Sequence, residues 1–238
     1  MRRRTPTGPP LHGLLVVDKP LGKTSMDVVR IVRRAAGGHK TGHAGTLDPL
    51  ATGVLVVCLG QATKAVEGLM GLTKIYETVV DLSAFTATDD AEGPREEVAV
   101  ARPPARAELD AVLPEFIGTI EQRPPQYSAL KVDGRPAYRY ARKGEAVELA
   151  ARPVRIDSLE VLEFAWPRLA LRVTCGRGTY IRSLARQLGE RLGTGGHLAS
   201  LRRTAIGPYT LERAVTLDAL PMPLLQEQLL DVPEAGAS

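Results

Sequence analysis

The chain lacks most of the features that mark membrane, secreted or metal-dependent proteins. No apolar run within its 238 residues approaches the roughly 20 residues needed to cross a bilayer. Leu14–Val17 is too short for the apolar core of a signal peptide, so Arg2–Arg4 do not begin one. Only two cysteines occur, Cys58 and Cys175; both follow apolar runs and they form no CxxC pair. That usage fits buried thiols in a reducing cytoplasm, with a lone disulfide left open. The four histidines, His12, His39, His43 and His197, have no metal-ligand spacing with the cysteines, so no metal is expected. Nucleotide-binding loops are missing too. Gly22-Lys23-Thr24 resembles the end of a P-loop, but the earlier glycine would fall at Val17. Gly176-x-Gly178 lacks the third glycine of a dinucleotide fingerprint, its place being taken by Ile181. No cofactor is indicated, and there is no internal repeat and no clear linker before about residue 210.

What is present suits a folded, basic protein. Hydrophobic residues make up 44% of the chain, enough for a sizeable core, and charged residues 24%. The net charge is +4 and the pI about 9.2. Of the 31 basic residues, 24 are arginine, which binds phosphate bidentately and stacks on bases, so nucleic acid is a candidate partner. The competing explanation is a GC-rich genome, with which the many alanine, glycine and proline residues agree.

Residues 1–10 carry three arginines and three prolines and read as a flexible basic arm. Leu14–Asp18 and Val54–Leu59 read as buried strands, and Tyr76–Leu82 alternates as a strand. Thr24 or Ser25 can cap a helix from about Met26 to Ala35, ended by Gly37 and Gly38. Further helices are expected over Thr63–Met70, Ala107–Phe116, Ala137–Lys143 and Thr179–Leu192, and strands over Val154–Phe164 and Leu169–Cys175. Thr86–Pro94 reads as a polar loop, and Arg123–Tyr127 as extended because of its prolines. The helix after Gly178 places Ile181, Leu184, Ala185 and Leu188 on one face. Strands and helices without regular βαβ alternation predict an α+β fold with a mixed sheet.

Residues 42–53, Gly-His-Ala-Gly-Thr-Leu-Asp-Pro-Leu-Ala-Thr-Gly, hold one carboxylate, Asp48, among glycines. Pro49 holds the chain extended at Asp48, and Gly42, Gly45 and Gly53 permit tight turns and close backbone approach. Such a loop can fix one acidic side chain at the rim of a sheet. An ordinary Asx-turn, Asp before Pro, accounts for the same local composition.

Four segments taken together go further: Gly13-Leu-Leu-Val-Val-Asp-Lys-Pro-Leu-Gly-Lys-Thr-Ser25; Gly42–Gly53; Pro124-Pro-Gln-Tyr-Ser-Ala-Leu-Lys131 with Tyr138, Ala141, Arg142 and Gly144; and Gly178-Thr-Tyr-Ile-Arg-Ser-Leu184 followed by Leu201-Arg-Arg-Thr204. In this order, over about residues 11–207, the chain resembles the TruB family of tRNA pseudouridine synthases, which isomerise the uridine at position 55 in the TΨC loop. The resemblance implies a pseudouridine synthase fold: a mixed β-sheet flanked by helices and loops, with a central RNA-binding cleft. It also implies base flipping, Asp-dependent glycosidic cleavage and C–C re-formation, with no cofactor and no metal. Asp48 matches the essential aspartate, as nucleophile or as base at the ribose; Arg182 matches the active-site arginine and Tyr76 the active-site tyrosine. His43 matches the histidine that contacts the flipped nucleotide, and Tyr180 and Leu201 match positions lining the uracil pocket. Lys19, Lys64, Arg142, Arg202 and Arg203 are candidates for RNA phosphate contacts. Each of these has a plainer reading: a surface helix arginine for Arg182, a strand aromatic for Tyr76, a solvated or capping residue for His43, core packing for Tyr180 and Leu201, solvated charge for the basic set.

The chain departs from the family at Thr86-Ala87-Thr88, where Thr-Asp-Thr is usual, with Asp90 retained, and at Ser83, where glycine is usual. The expected organisation is a catalytic domain over 11–210 and a short tail over 211–238, too short for the PUA-type RNA-binding domain of many bacterial relatives. The expected partner is the T-arm of tRNA, with no membrane and no obligatory protein partner. A synthase for another RNA, such as a guide-directed or rRNA enzyme, and a non-catalytic RNA-binding protein are the alternatives. The joint retention of Asp48, Tyr76 and Arg182 argues against the last.

Overall fold

A computed structural model describes residues 8–128, 130–132, 134–141, 143–145 and 147–232. Most of the expected basic arm, and Arg142, lie outside these residues. In chain order the elements are β1 (Gly13–Lys19), α1 (Ser25–Ala35), β2 (Thr41–His43), β3 (Ala51–Leu59), α2 (Val66–Gly71), β4 (Lys74–Asp81), β5 (Ala84–Thr86), β6 (Arg95–Glu97) and α3 (Arg106–Val112). There follow β7 (Gly118–Gln122), β8 (Lys131–Val132), β9 (Arg135–Pro136), α4 (Ala137–Ala141), β10 (Arg152–Ala165), β11 (Arg168–Cys175), α5 (Ile181–Leu192), β12 (His197–Ile206), β13 (Tyr209–Thr210) and β14 (Val215–Thr216). The chain is α+β, as expected, with parallel and antiparallel strand pairs. It divides into two compact units, Met1–Lys74 with Arg202–Ser238, and Ile75–Leu201, so the second boundary falls inside β12.

In the first unit β1 lies between β14, its parallel neighbour, and β3, its antiparallel one, with Val16 opposite Val56 and Val17 opposite Leu55. Side chains alternate across a strand, and here both faces are covered. Leu15, Val17, Leu55 and Val57 pack with Val28, Val32 and Ala35 of α1. Leu14, Val16, Val54, Val56 and Cys58 pack with Leu69, Ile206 and Tyr209. Burial on both faces explains why these strands read as unbroken apolar runs. Burial pushes the Cys58 thiol up to about 11, and both cysteines are free and buried. Residues 211–232, read as a tail, supply β14, the buried Leu220 and Leu224, and a bridge between Leu230 and Leu14.

α1 starts one residue earlier than the apolar pattern indicates. Thr24 is its N-cap: its hydroxyl accepts from the Asp27 N–H at 3.1 Å, while the Asp27 carboxylate accepts from the Thr24 N–H at 2.9 Å. This reciprocal capping box satisfies two donors that the first turn would otherwise leave open.

In the second unit β4, β11, β10 and β7 lie side by side in that order. α5 buries the stripe foreseen for it, Ile181, Leu184, Ala185 and Leu188. It ends at Gly193, whose φ of 69° is the left-handed conformation favoured by glycine at helix ends. The helix foreseen over Ala107–Phe116 is cut at Val112 and continues as a 3-10 turn, Leu113–Phe116, around Pro114. The stretch foreseen as helix over Thr63–Met70 is a 3-10 segment, Gly60–Ala65, followed by α2.

Candidate active site

The Asp48 loop runs between β2 and β3 of the first unit and is fixed from several sides. Asp48 is half-buried, and its carbonyl accepts the Ala51 N–H at 3.1 Å, closing the turn that contains Pro49. The Ser25 hydroxyl, at the start of α1, donates to the Leu47 carbonyl and accepts from the Leu47 N–H, at 2.9 and 2.8 Å. These bonds tie the residue before Asp48 to a helix. The Pro49 carbonyl accepts the Gly22 N–H at 2.8 Å.

Two of the expected phosphate contacts have another role in the structure. Lys19 is fully buried, and its ammonium donates to the carbonyls of Lys23 and Pro20 at 2.6 and 3.0 Å and lies 3.4 Å from that of Pro49. Arg203 is 1% exposed, and its guanidinium donates to the Val54 and Gly45 carbonyls at 2.8 and 3.1 Å. A buried cation bonded to backbone carbonyls cannot reach an RNA backbone, which stays in solvent; these two brace the loop at both ends instead. The backbone shares in this: a Cβ at Gly53 would lie 2.1 Å from the Arg203 carbonyl oxygen, and Gly53 has φ +99°. Of the remaining basic candidates, Lys64 is exposed, and Arg202 is partly exposed, donating to Asp18 at 2.7 Å and lying 3.3 Å from the Thr52 hydroxyl. A cleft of about 620 Å³ beside this turn is lined by Leu21, Lys23, Thr52 and Arg202 among others.

His43 ends β2, five residues before Asp48. Burial, with the Arg203 charge second, holds its imidazole below the ordinary histidine range. The neutral ring is therefore the form present at neutral pH.

Tyr76, Tyr180, Arg182 and Leu201 belong to the second unit. Tyr76 is buried on the inward-alternating face of β4, next to Thr78, whose hydroxyl donates to the Ser200 carbonyl at 2.7 Å. Leu201 is buried on β12. Tyr180 is the N-cap of α5, and the cap is supplied from outside the helix: Gln122 Oε1 accepts the Tyr180 N–H at 2.7 Å. Ser183 and Gln187 also donate to the Arg123 and Glu121 carbonyls, at 2.7 and 3.1 Å, so the end of β7 is bonded along the first two turns of α5.

Arg182 is not a surface arginine; it is 5% exposed. Its guanidinium donates to the Tyr127 and Thr88 carbonyls at 2.8 and 3.0 Å and lies 3.5 Å from the Asp90 carboxylate. Asp90 is itself 2% exposed, and accepts from the Thr88 hydroxyl and the Glu92 N–H. A buried guanidinium with a planar array of fixed acceptors is held in one orientation. Next to it Arg186 donates to Asp89 and lies 4.8 Å from the Phe85 ring centre. Asp89 has φ 60°, and burial, set against the Arg186 charge, raises its carboxyl above the usual range. Asp90, Asp89, Arg186 and Gln122 are absent from the sequence-derived site. The only signal for any of them was the survival of Asp90 in an otherwise altered loop.

The braced Asp48 loop of the first unit and the buried Arg182 of the second each sit in a fold that has solved relatives. Solved structures titled "Crystal Structure of a Cbf5-Nop10-Gar1 Complex" and "Structure of H/ACA RNP bound to a substrate RNA containing 2'-deoxyuridine" match 88% of this chain, with TM-scores of 0.69 and 0.66 and identities of 33% and 31%. The chain spans about half the length of those chains, 53% and 52%. This defines the fold as that of the pseudouridine synthases. The model of the TruB family pseudouridylate synthase N-terminal domain matches residues 33–181, and that of the tRNA pseudouridylate synthase B C-terminal domain matches 182–232. Proteins named tRNA pseudouridine synthase B from Cupriavidus pinatubonensis (strain JMP 134 / LMG 1197) and Xanthomonas axonopodis pv. citri (strain 306) are 51% and 49% identical. The alignments cover 88% and 89% of this chain and 67% and 68% of theirs. The chain belongs to the TruB family, a family of isomerases. No described helix is long and apolar enough to cross a membrane.

Proposed function

We propose that this enzyme converts uridine to pseudouridine in tRNA, at position 55 of the TΨC loop. The observation that carries the reading is the near-50% identity to proteins named tRNA pseudouridine synthase B over about nine-tenths of the chain, with the Asp48 loop braced by buried cations. The reaction breaks the C1′–N1 glycosidic bond, turns the uracil, forms a C1′–C5 bond and removes the C5 proton, while the freed N1 gains one, so that the product is an isomer of the substrate. Asp48 is the carboxylate at the ribose, acting either as nucleophile at C1′ or as base. Arg182 orients charge at the reaction centre through its fixed guanidinium. Tyr76 stacks on the uracil and takes part in removing the C5 proton, a role in which a positioned base contributes about 10²–10⁴-fold. His43, neutral and semi-buried, braces the flipped nucleotide, and Tyr180 and Leu201 line the uracil pocket. Flipping costs a few kcal/mol, recovered in part by that packing. Lys64 and Arg202, with Arg142 outside the described residues, are the phosphate contacts. The enzyme works in the cytoplasm on the T-arm, without an obligatory protein partner.

The similarity to chains solved in a Cbf5-Nop10-Gar1 complex and in an H/ACA RNP favours a second reading, a synthase working within an RNA–protein complex. One experiment separates the two. The purified protein is incubated with an unmodified tRNA transcript and with an rRNA fragment, without other proteins or guide RNA, and pseudouridine is mapped by position. A single modified uridine at position 55 of the tRNA is expected. Conversion only when guide RNA or partner proteins are added overturns the stand-alone reading.

A further inference from the structure

Basic residues are dense in α1 and in the turns on either side of it. Residues 23–40 contain Lys23, Arg30, Arg33, Arg34 and Lys40 against Asp27 alone, a net of +4, equal to the net charge of the whole protein. On α1, Arg30, Arg33 and Arg34 lie within about 100° of one another around the helix axis. All three are exposed, together with Met26 on the same side. The opposite face, Val28, Val29, Val32 and Ala35, is buried. Local bonds hold two of the guanidiniums in place without exhausting them. Arg30 Nε donates to the Met26 carbonyl at 3.2 Å and its Nη2 lies 3.0 Å from Asp27; Arg33 Nε donates to the Gly38 carbonyl at 3.2 Å. Each guanidinium has five N–H donors, so several on each still face solvent.

The helix is also positioned relative to the catalytic loop. Ser25, its first residue, is bonded to Leu47, next to Asp48. With a rise of 1.5 Å per residue, Arg30 to Arg34 lie about 8–14 Å along the helix from that anchor. Lys23, before the helix, lines the cleft shared with Arg202. The cations therefore form a track that begins beside the Asp48 loop and leads away from it. An amphipathic basic helix can also lie on an anionic membrane, but that requires its apolar face, and here that face is in the core.

We propose that the Arg30–Arg33–Arg34 face of α1, extended by Lys23 and Lys40, is a second contact for the tRNA backbone, outside the pocket for the reacting nucleotide. It rests on the reading of tRNA as substrate. The face holds phosphates and does no chemistry, so it governs KM and salt dependence and leaves kcat unchanged.

The test compares the wild type with R30Q/R33Q/R34Q and with a control, R102Q/R106Q/R191Q, which makes the same change in net charge. The control arginines are exposed and paired with Glu108, Asp110 and Glu115. Glutamine is a good helix former, and exposed pairs contribute little, so both variants keep the fold, as circular dichroism would verify. Affinity for a whole tRNA transcript is measured across a salt series, with single-turnover rates at saturation. For the α1 variant the slope of log K against log salt is expected to fall in magnitude by about 2, each lost phosphate contact being worth about 0.7–0.9. KM should rise at least tenfold, with the saturated rate within twofold of wild type. The control should keep the wild-type slope. An unchanged slope in the α1 variant, or an equal loss in the control, overturns the proposal. Failure of the wild type to modify any tRNA refutes the substrate reading instead, and the two failures are distinguishable because the slope is read from binding alone.

Discussion

Replacing Gly53 by alanine tests how the Asp48 loop is held. Gly53 has φ +99°, and an added Cβ would lie 2.1 Å from the Arg203 carbonyl oxygen and 2.9 Å from the Arg203 backbone nitrogen and carbonyl carbon. The left-handed backbone costs an L-residue about 1–2 kcal/mol. The contact is with backbone, which cannot rotate away, and overpacking of this kind typically costs about 1–3 kcal/mol more. The sum, about 2–5 kcal/mol, is a large part of a typical stability of about 5–15 kcal/mol. For a chain of this size each kcal/mol shifts Tm by about 2–4 °C, so a drop of about 4–20 °C is expected. Gly22→Ala is the matched control, since Gly22 has φ +80° and a Cβ there meets nothing within 4 Å. It should show the backbone term alone, about 2–8 °C. Both melts are read by circular dichroism, with the single-turnover rate measured well below either Tm. Gly53→Ala should melt lower than Gly22→Ala and lose activity, because the displaced β12 backbone carries the guanidinium that braces the loop. If Gly53→Ala melts no lower than Gly22→Ala, the close-approach argument is wrong.

Two further outcomes are expected. Arg182→Lys should keep most of the fold but lose at least about 10²-fold in single-turnover rate, since a point charge cannot reproduce the planar donor array; Arg182→Met, leaving Asp90 buried without its cation, should also lose about 3–5 kcal/mol in urea melts. A rate within fivefold of wild type for Arg182→Lys would contradict the orienting role. Stability should also fall on mild acidification in a His43-dependent way. The native imidazole resists protonation, so below about pH 6.5 the unfolded chain binds a proton that the folded chain does not. Stability therefore rises with pH through that range, and His43→Gln should flatten the dependence between about pH 5 and 7; equal slopes in both proteins would refute the assignment.

Elements whose pattern and packing agree were legible in the sequence. β1 and β3 read as strands because both their faces are buried, and α5 because its apolar stripe is the face it packs. β12 was not read as a strand. His-Leu-Ala-Ser-Leu-Arg-Arg-Thr-Ala-Ile lacks an apolar alternation, since Arg203 holds an inward position where its guanidinium finds carbonyl acceptors. The same long-range partnership explains why Arg203 read as a surface cation: its acceptors, the carbonyls of residues 45 and 54, are set by the fold and leave no mark near it, whereas Lys19 bonds chiefly to the nearby carbonyls of Pro20 and Lys23 in a turn that its sequence does not mark as burying a lysine. The Asp48 loop was legible for the opposite reason, because its glycines and proline act locally. Arg182 was singled out from its motif, but its burial and its pairing with Asp90 depend on a loop some 90 residues away.

In the function proposed above, the Asp48 carboxylate does chemistry and does not serve to bind RNA. The most direct measurement is single-turnover pseudouridine formation in tRNA by Asp48→Asn, with tRNA affinity measured in parallel. A loss of at least about 10³-fold in rate is expected, about 4 kcal/mol of barrier, with affinity within about threefold of wild type and the wild-type Tm kept. Conversion at the wild-type rate by the asparagine variant would contradict that role.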